Sequence, residues 1–180
     1  MSIIDFLKRT SSEPEGRGDT DTVRRIVGEL NKLEPARARH LAAFAYVLSR
    51  VANADLEISE VETRKIVEII QRLGHLPEQQ ALLVAEIANT QNRLFGGTEN
   101  FLVTREFREI ASDEERRHLL DCLFAVSAAD DAITGEEESQ IWQIAAELGF
   151  THREYVEARL VYQDKRTVFH TRAVRTDKSD

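Results

Sequence analysis

The sequence predicts an all-α protein, a helical bundle of about seven to nine helices built around two helix-turn-helix repeats related by a pseudo-two-fold axis. Apolar residues recur at the i, i+3, i+4, i+7 spacing of amphipathic helices along most of the chain. No alternating run of β-branched residues bounded by turn residues appears, so a sheet is not expected. The repeat is the third observation, because segments 52–62 and 127–138 share the pattern A-D-x-x-I-[ST]-x-x-E.

Composition limits the class of protein. The chain has 180 residues, of which 42% are apolar and 31% charged, as in a soluble globular domain. Its formal net charge of −8 argues against a general nucleic-acid binder, because phosphate contacts need clustered Lys and Arg. The single cysteine, Cys122, excludes a disulfide within the chain and lies in an apolar helical run. We therefore expect a small buried side chain there rather than a reactive thiol.

Three regions are predicted along the chain. Residues 1–20 are predicted to form a short N-terminal segment and a flexible linker, since TSSEPEGRGD is rich in Pro, Gly and Ser. Residues 21–165 are predicted to form the helical domain, with repeats at 44–74 and 119–149. Residues 166–180 are predicted to form a mobile tail. The first residues are too charged for a signal peptide, and no apolar run reaches the roughly 20 residues that span a bilayer. We expect a cytoplasmic location.

The helices are assigned in order from their apolar stripes. Helices with less regular faces are predicted over 21–33, 78–93, 101–111 and 152–164. Four other stripes are clear, and they comprise Leu41, Phe44, Ala45, Leu48, Val51 and Ala52; Ile66, Ile69, Ile70 and Leu73; Leu119, Cys122, Leu123 and Val126; and Ile141, Ile144, Ala145 and Leu148.

The two copies of the repeat align at an offset of 75 residues without a gap. Segment 44–74 is identical to segment 119–149 at ten of 31 positions, most of which are apolar core positions. Each copy ends in a glycine, Gly74 or Gly149. Each copy is therefore predicted to be a helix, a tight turn and a second helix, ended where Gly can adopt the left-handed conformation. Either hairpin needs the other, or the intervening helices, to cover its apolar face.

Part of the repeated pattern has a purely structural interpretation. Ser59-x-x-Glu62 and Thr134-x-x-Glu137 match the capping box, in which the hydroxyl and the Glu carboxylate bind each other's backbone N–H groups. The repeated aspartates then end the preceding helix or accept hydrogen bonds from amides of the turn. On this interpretation the acidic turns only shape the helix ends.

Metal binding is the functional interpretation of the same residues. Asp, Ile and Glu have the spacing of the fifth, eighth and twelfth positions of an EF-hand calcium loop. Val51 and Val126 occupy the first position, where the loop needs a carboxylate, and Leu56 and Asp131 replace its Gly, so neither copy is an EF-hand. A cation held by two carboxylates, a backbone carbonyl and waters would bind weakly.

The doublet, its spacing and its helical context resemble the TerB-like tellurite-resistance family over about residues 38–165. The resemblance implies an all-helical, non-catalytic module associated with bacterial tellurite and stress resistance, with a divalent ion (Ca, Mg or Zn) at the acidic turns. It also implies a protein partner, including membrane-associated stress-resistance proteins, and a peripheral place at the inner face of the bacterial membrane. The candidate metal ligands are Asp55, Glu57, Glu62, Asp130, Asp131 and Glu137.

Charge and histidine placement bear on the remaining alternatives. Residues 113–165 carry thirteen Asp and Glu against five Lys and Arg, a surface that attracts a cation or a basic partner. The five histidines are scattered, and none stands at metal-ligand spacing to another, so an enzyme is not expected. Two alternatives stay open. One is a carboxylate-dependent, metal-assisted hydrolase, which needs a pocket gathering Asp55, Asp130 and a His; the other is a metal-free interaction scaffold.

Overall fold

The structure is a computed structural model that describes residues 17–51, 60–94, 100–130 and 132–165. These residues form eight α-helices and two short 3₁₀ helices, and Ile133 makes an isolated β-bridge. The all-α fold class is confirmed. The α-helices are α1 (Arg17–Leu30), α2 (Pro35–Ser49), α3 (Glu60–Leu73), α4 (Glu78–Leu94), α5 (Asn100–Ile110), α6 (Asp113–Ser127), α7 (Gly135–Glu147) and α8 (His152–Leu160).

Helix boundaries differ from the sequence expectation mainly at the two ends of the domain. Helix α1 begins at Arg17, four residues before the expected start. Helix α8 ends at Leu160 and is followed by a 3₁₀ turn at Gln163–Lys165. The N-terminal residues 1–16 and the predicted mobile tail 166–180 lie outside the described residues.

Helix α2 lies at the centre of the domain. Its start is fixed by Pro35 in the first turn and by the carboxylate of Glu34, which accepts hydrogen bonds from the N–H groups of Ala36 (3.0 Å) and Arg37 (3.2 Å). The helix is apolar on nearly every side and is buried almost throughout between α4 and α5. A helix with this pattern is stable only when neighbours cover it all round.

The second half of the domain packs around α6. This helix contacts α2, α3, α7 and α8, and its own second half is buried except at Asp121. One contiguous core results, with Phe44, Phe107 and Phe124 among its largest fully buried side chains. The pseudo-two-fold relation between the hairpins 44–74 and 119–149 stays a prediction, because residues 52–59 lie outside the described part of the chain.

The two repeated glycines end their helices in different ways. Gly149 has φ +91°, which confirms the expected left-handed conformation. For Gly74 the expectation is wrong, since the left-handed residue is the next one, His75, with φ +52°. Gly74 is needed for close packing instead, because a Cβ there would lie 2.6 Å from the Ile70 carbonyl oxygen and 3.3 Å from the Phe44 ring.

Cys122 and His40 are two of the titratable side chains that lie in the core of the described residues. Cys122 is fully buried, and burial raises the pKa of its thiol to about 12, which confirms the expected unreactive side chain. His40 packs against Phe44 and Phe107, with Nε2 3.7 Å from a Glu115 carboxylate oxygen. Burial lowers the pKa of His40 and outweighs the opposing attraction of that carboxylate.

Candidate functional site

The second acidic turn joins α6 to α7 within seven residues. Helix α6 continues into a 3₁₀ turn at Ala128–Asp130, so Asp130 ends the helical part of the elbow. Ile133 then enters the core at 1% exposure and makes its β-bridge, and Thr134 caps α7. The buried isoleucine therefore anchors the turn, and the acidic positions 130 and 137 lie on either side of it.

The capping box predicted at Thr134 is confirmed. The Glu137 N–H donates to Thr134 Oγ1 at 3.2 Å, and Glu137 Oε2 accepts from both the N–H and the hydroxyl of Thr134 at 2.7 Å. Both of these bonds to the carboxylate end on Oε2, so the capping box leaves Oε1 unused. The equivalent Ser59 of the first turn lies outside the described residues.

The same capping device also begins α6 and α8, which the sequence analysis missed. Ser112 with Glu115 and Thr151 with Glu154 form complete capping boxes, and the signal was present as S/T-x-x-E just before each helix. Three helices in the described part of the chain therefore start in the same way. A threonine and a glutamate at this spacing are a general helix-start feature here, and the aspartate is what distinguishes the acidic turn.

The acidic run at the start of α7 is partly neutralised. Glu138 is only 15% exposed in its side chain and pairs with Arg159 of α8 at 2.8 Å. The Tyr155 hydroxyl donates to the Glu138 carbonyl at 3.2 Å, which further fixes α8 against α7. Glu136 is exposed and Glu137 is half-buried. The free charge of this run thus lies on its first two carboxylates.

The structure describes three of the six predicted metal ligands. Asp55, Glu57 and Asp131 lie outside the described residues. Glu62 lies in the first turn of α3, and Asp130 ends the 3₁₀ turn after α6. Among the described residues, no three His, Cys, Asp or Glu side chains are grouped so that they could hold a metal ion. The described half of the candidate site is therefore the elbow from Asp130 to Glu137.

A buried ion pair links the start of the first turn to α7. Arg50 caps the end of α2, and its guanidinium binds Glu147 through Nη1–Oε2 (2.5 Å) and Nη2–Oε1 (3.4 Å). The Arg50 and Glu147 side chains are 5% and 8% exposed. Nη1 also donates to Thr104 Oγ1 of α5 at 2.6 Å, and Gln143 donates to Glu147 Oε1 at 3.1 Å. The end of α2 is thus fixed to α5 and α7.

A second contact strengthens this connection. Gln140, two helical turns before Glu147 on α7, donates through its side-chain amide to the Arg50 carbonyl oxygen. The polar side of α7 therefore holds both the side chain and the backbone of the residue that leads into the first acidic turn. Sequence analysis missed this network, although a lone arginine within the apolar run YVLSRVA was a visible signal.

None of the helices in the described ranges combines the length and apolar character needed to cross a bilayer. A family model described as tellurite resistance protein TerB matches residues 40–160, about two thirds of the chain. No curated protein and no solved structure matches the chain.

Proposed function

The chain belongs to the TerB family of tellurite resistance proteins, and from this premise we propose that it is a non-catalytic cytoplasmic module whose acidic inter-helix turns bind a divalent metal ion weakly. The ligands are the carboxylates of Asp55 and Glu62 in the first turn and of Asp130 and Glu137 in the second, assisted by Glu57 and Asp131. Ca²⁺, Mg²⁺ and Zn²⁺ are the candidate ions, because two of them prefer oxygen ligands and the third accepts carboxylates.

The geometry of the second turn is the observation that carries the proposal. Asp130 and Glu137 lie at the two ends of one short elbow, and Glu137 keeps Oε1 outside its capping hydrogen bonds. The same capping bonds support low affinity. A metal that took both Glu137 oxygens would compete with the two bonds from Thr134, and it would also face the positive end of the α7 dipole.

Isothermal titration calorimetry tests the metal site. Wild-type protein is titrated with CaCl₂, MgCl₂ and ZnCl₂ beside an Asp55→Asn, Asp130→Asn double variant. A dissociation constant of roughly 10⁻⁴ to 10⁻³ M is expected for the preferred ion, the range of weak calcium modules. The double variant should bind the preferred ion with an affinity at least tenfold lower than that of the wild type. Glu136→Gln is the matched control, since Glu136 is an exposed neighbour outside the repeated pattern.

Two results reject the metal proposal. One is the absence of binding heat and of any ion-dependent rise in melting temperature for the wild type. The other is equal affinity in the wild type and in the double variant. Loss of binding in Glu136→Gln as large as in the double variant would instead indicate diffuse attraction by the acidic surface.

A non-catalytic role is supported by how the histidines are used. In the described part of the chain His40 packs on phenylalanines, His75 on His118, and His152 on Trp142 and Tyr155. These side chains have structural neighbours in three separate places. A hydrolase would instead need one of them beside the acidic turn as a general base.

A basic protein partner is the second candidate, favoured by the net negative charge of residues 113–165. On this version the turns recognise Lys and Arg side chains, and the module acts beside membrane-associated stress-resistance proteins at the inner face of the membrane. Pull-down with wild type and with Glu136→Lys, Glu137→Lys protein separates the two versions. Capture that is insensitive to EDTA, weakened by salt and lost in the variant supports the partner, whereas capture that EDTA abolishes supports the metal.

A further inference from the structure

Two histidines from distant parts of the chain lie ring to ring on the opposite end of the helices from the acidic turns. His75 follows the end of α3, and His118 lies in the second turn of α6. Their ring centroids are 4.3 Å apart with an interplanar angle of 48°. We propose that His75 and His118 form a second metal site, which binds a Cu²⁺ or Ni²⁺ ion through two imidazole nitrogens with water completing the coordination.

The separation of the rings fits two neighbouring ligands of one ion. A metal bound to imidazole nitrogen at about 2.0–2.1 Å lies roughly 3.2 Å from the ring centroid. Two imidazoles at right angles about that ion then have centroids about 4.5 Å apart, and two at the tetrahedral angle about 5.2 Å. The observed 4.3 Å is close to the right-angle value. Right angles are typical of square-planar and octahedral sites, which Cu²⁺ and Ni²⁺ prefer and structural Zn²⁺ does not.

The backbone holds one of the two rings in place. His75 is a non-glycine residue with φ +52°, directly after the tightly packed Gly74. The left-handed region is disfavoured for most residues, and histidine is among the side chains that tolerate it better. The chain turns at the end of α3 in this conformation, and the exposed His75 ring packs on His118 of α6, a helix that α3 contacts.

The surroundings favour a cation. Glu114 Oε1 lies 3.8 Å from His118 Nε2, and the half-buried Asp121 lies one turn further along α6. Two cations lie near this face, Arg117, with Nε 3.7 Å from Asp121 Oδ1, and Arg72 in the last turn of α3. The carbonyl end of α3, where the helix dipole is negative, adds to the attraction. Both rings reach solvent, since His118 keeps 21% of its side chain exposed and His75 is exposed.

The pair is independent of the acidic turns. Twelve residues of helix separate His118 from Asp130, which corresponds to roughly 18 Å of helical rise. The ligand type also differs, because imidazole selects late transition metals whereas carboxylates select Ca²⁺ and Mg²⁺. The two sites can therefore fail or succeed separately in experiment. In the described residues no third His, Cys, Asp or Glu joins the two imidazoles in a group that could hold a metal ion, so the expected affinity is that of a two-ligand site.

Titration of untagged full-length protein with NiCl₂ and CuCl₂ tests the proposal. Wild-type protein should bind one equivalent, with Cu²⁺ tighter than Ni²⁺ as the general order of divalent affinities requires. His75→Asn, which preserves tolerance of the left-handed backbone, and His118→Gln should each weaken binding at least tenfold. His152→Asn is the matched control, because His152 is an exposed histidine that packs on aromatic rings rather than on another imidazole.

Two further measurements make the test independent of folding losses. Substoichiometric Cu²⁺ should broaden the NMR signals of the His75 and His118 rings before those of His152. Glu114→His places a third imidazole one helical turn before His118 and should tighten Ni²⁺ binding at least tenfold. The Asp55→Asn, Asp130→Asn variant should bind Ni²⁺ as the wild type does. Equal binding by wild type and both histidine variants, or broadening that begins at His152, overturns the proposal.

Discussion

Glu147→Gln should be one of the most damaging conservative substitutions in this protein. The change removes the carboxylate charge and one of its two acceptor oxygens, and it leaves the Arg50 guanidinium, 5% exposed, inside the domain with only neutral acceptors, the new amide oxygen and Thr104, among the described residues. Arg50 Nε is already buried without a partner in that part of the chain. Breaking one side of a buried pair costs about 3–5 kcal/mol, because the other charge stays buried and uncompensated.

Replacing both members of the ion pair should leave the stability of the protein unchanged or raise it. Arg50→Met with Glu147→Leu removes the two charges together, and apolar side chains of similar volume in a buried pair's place are neutral or stabilising by about 1–4 kcal/mol. Arg50→Met alone, Glu147→Leu alone and the double variant thus form a cycle with a large coupling energy. Arg153 and Glu157 provide the control, because their 3.0 Å pair has side chains 88% and 50% exposed. Losing that pair should cost about 0.3–0.5 kcal/mol.

Urea unfolding followed by circular dichroism measures all of these variants. The midpoint should fall strongly for Glu147→Gln and recover in the double variant, with an unchanged m-value. A loss below about 1 kcal/mol for Glu147→Gln would refute the reasoning, because the pair would then behave like an exposed one. Failure of the double variant to recover would show that the site cannot accept apolar side chains.

Three other predictions concern stability. Burial lowers the pKa of His40, so the unfolded chain takes up its proton near pH 6.5 while the folded protein resists it, and the free energy of unfolding should fall as the pH is lowered through that range. His40→Gln should reduce this fall in urea titrations between pH 7 and 5; an unchanged slope would contradict it. Gly74→Ala should cost about 1–3 kcal/mol, because its Cβ meets a backbone oxygen at 2.6 Å. Gly28→Ala, with open space around it in α1, should stabilise by about 0.5–1 kcal/mol, and equal thermal shifts would refute the contrast. Thr134→Ala should lose about 1 kcal/mol through the α7 cap, as should Thr151→Ala through the α8 cap, so a cost confined to Thr134 would point to a further role for the turn.

Features that depend on neighbouring residues in sequence were predictable. The helical period located the helices of the domain to within a few residues, since the stripes through Phe44 and Leu123 are local patterns that burial then enforces. The capping box at Thr134 and the burial of Cys122 were also predictable from the sequence, because each depends on residues within one or two helical turns. The same rule would have found the boxes at Ser112 and Thr151.

Contacts between distant segments were not predictable in this way. Arg50 finds its carboxylate 97 residues away, and no local pattern specifies that partner. The left-handed residue is His75 rather than the expected Gly74. Gly74 is instead required because there is no space for a side chain between it, the Ile70 carbonyl of α3 and the Phe44 ring. The ring pair of His75 and His118 has the same origin, in helix packing rather than in a motif.

The acidic turns show how far the sequence reaches on function. The repeated aspartate and glutamate identified the elbow, and the described half places Asp130 and Glu137 on one short turn. Their spacing could not reveal that Glu137 Oε2 accepts hydrogen bonds from Thr134, because the same residue pattern is compatible with helix capping and with metal ligation. For the proposed metal site, affinity is therefore set by competition between the ion and the capping hydrogen bonds of Thr134, which the folded geometry displays and the sequence does not.

The span of the Arg50–Glu147 contact has a consequence for biosynthesis. At about 5–20 residues per second, a ribosome needs roughly 5–20 s after making Arg50 before Glu147 is synthesised, and longer before it leaves the exit tunnel. During that interval the guanidinium can remain hydrated only if the end of α2 stays open. We therefore expect the end of α2 to pack into the core only after α7 has been synthesised.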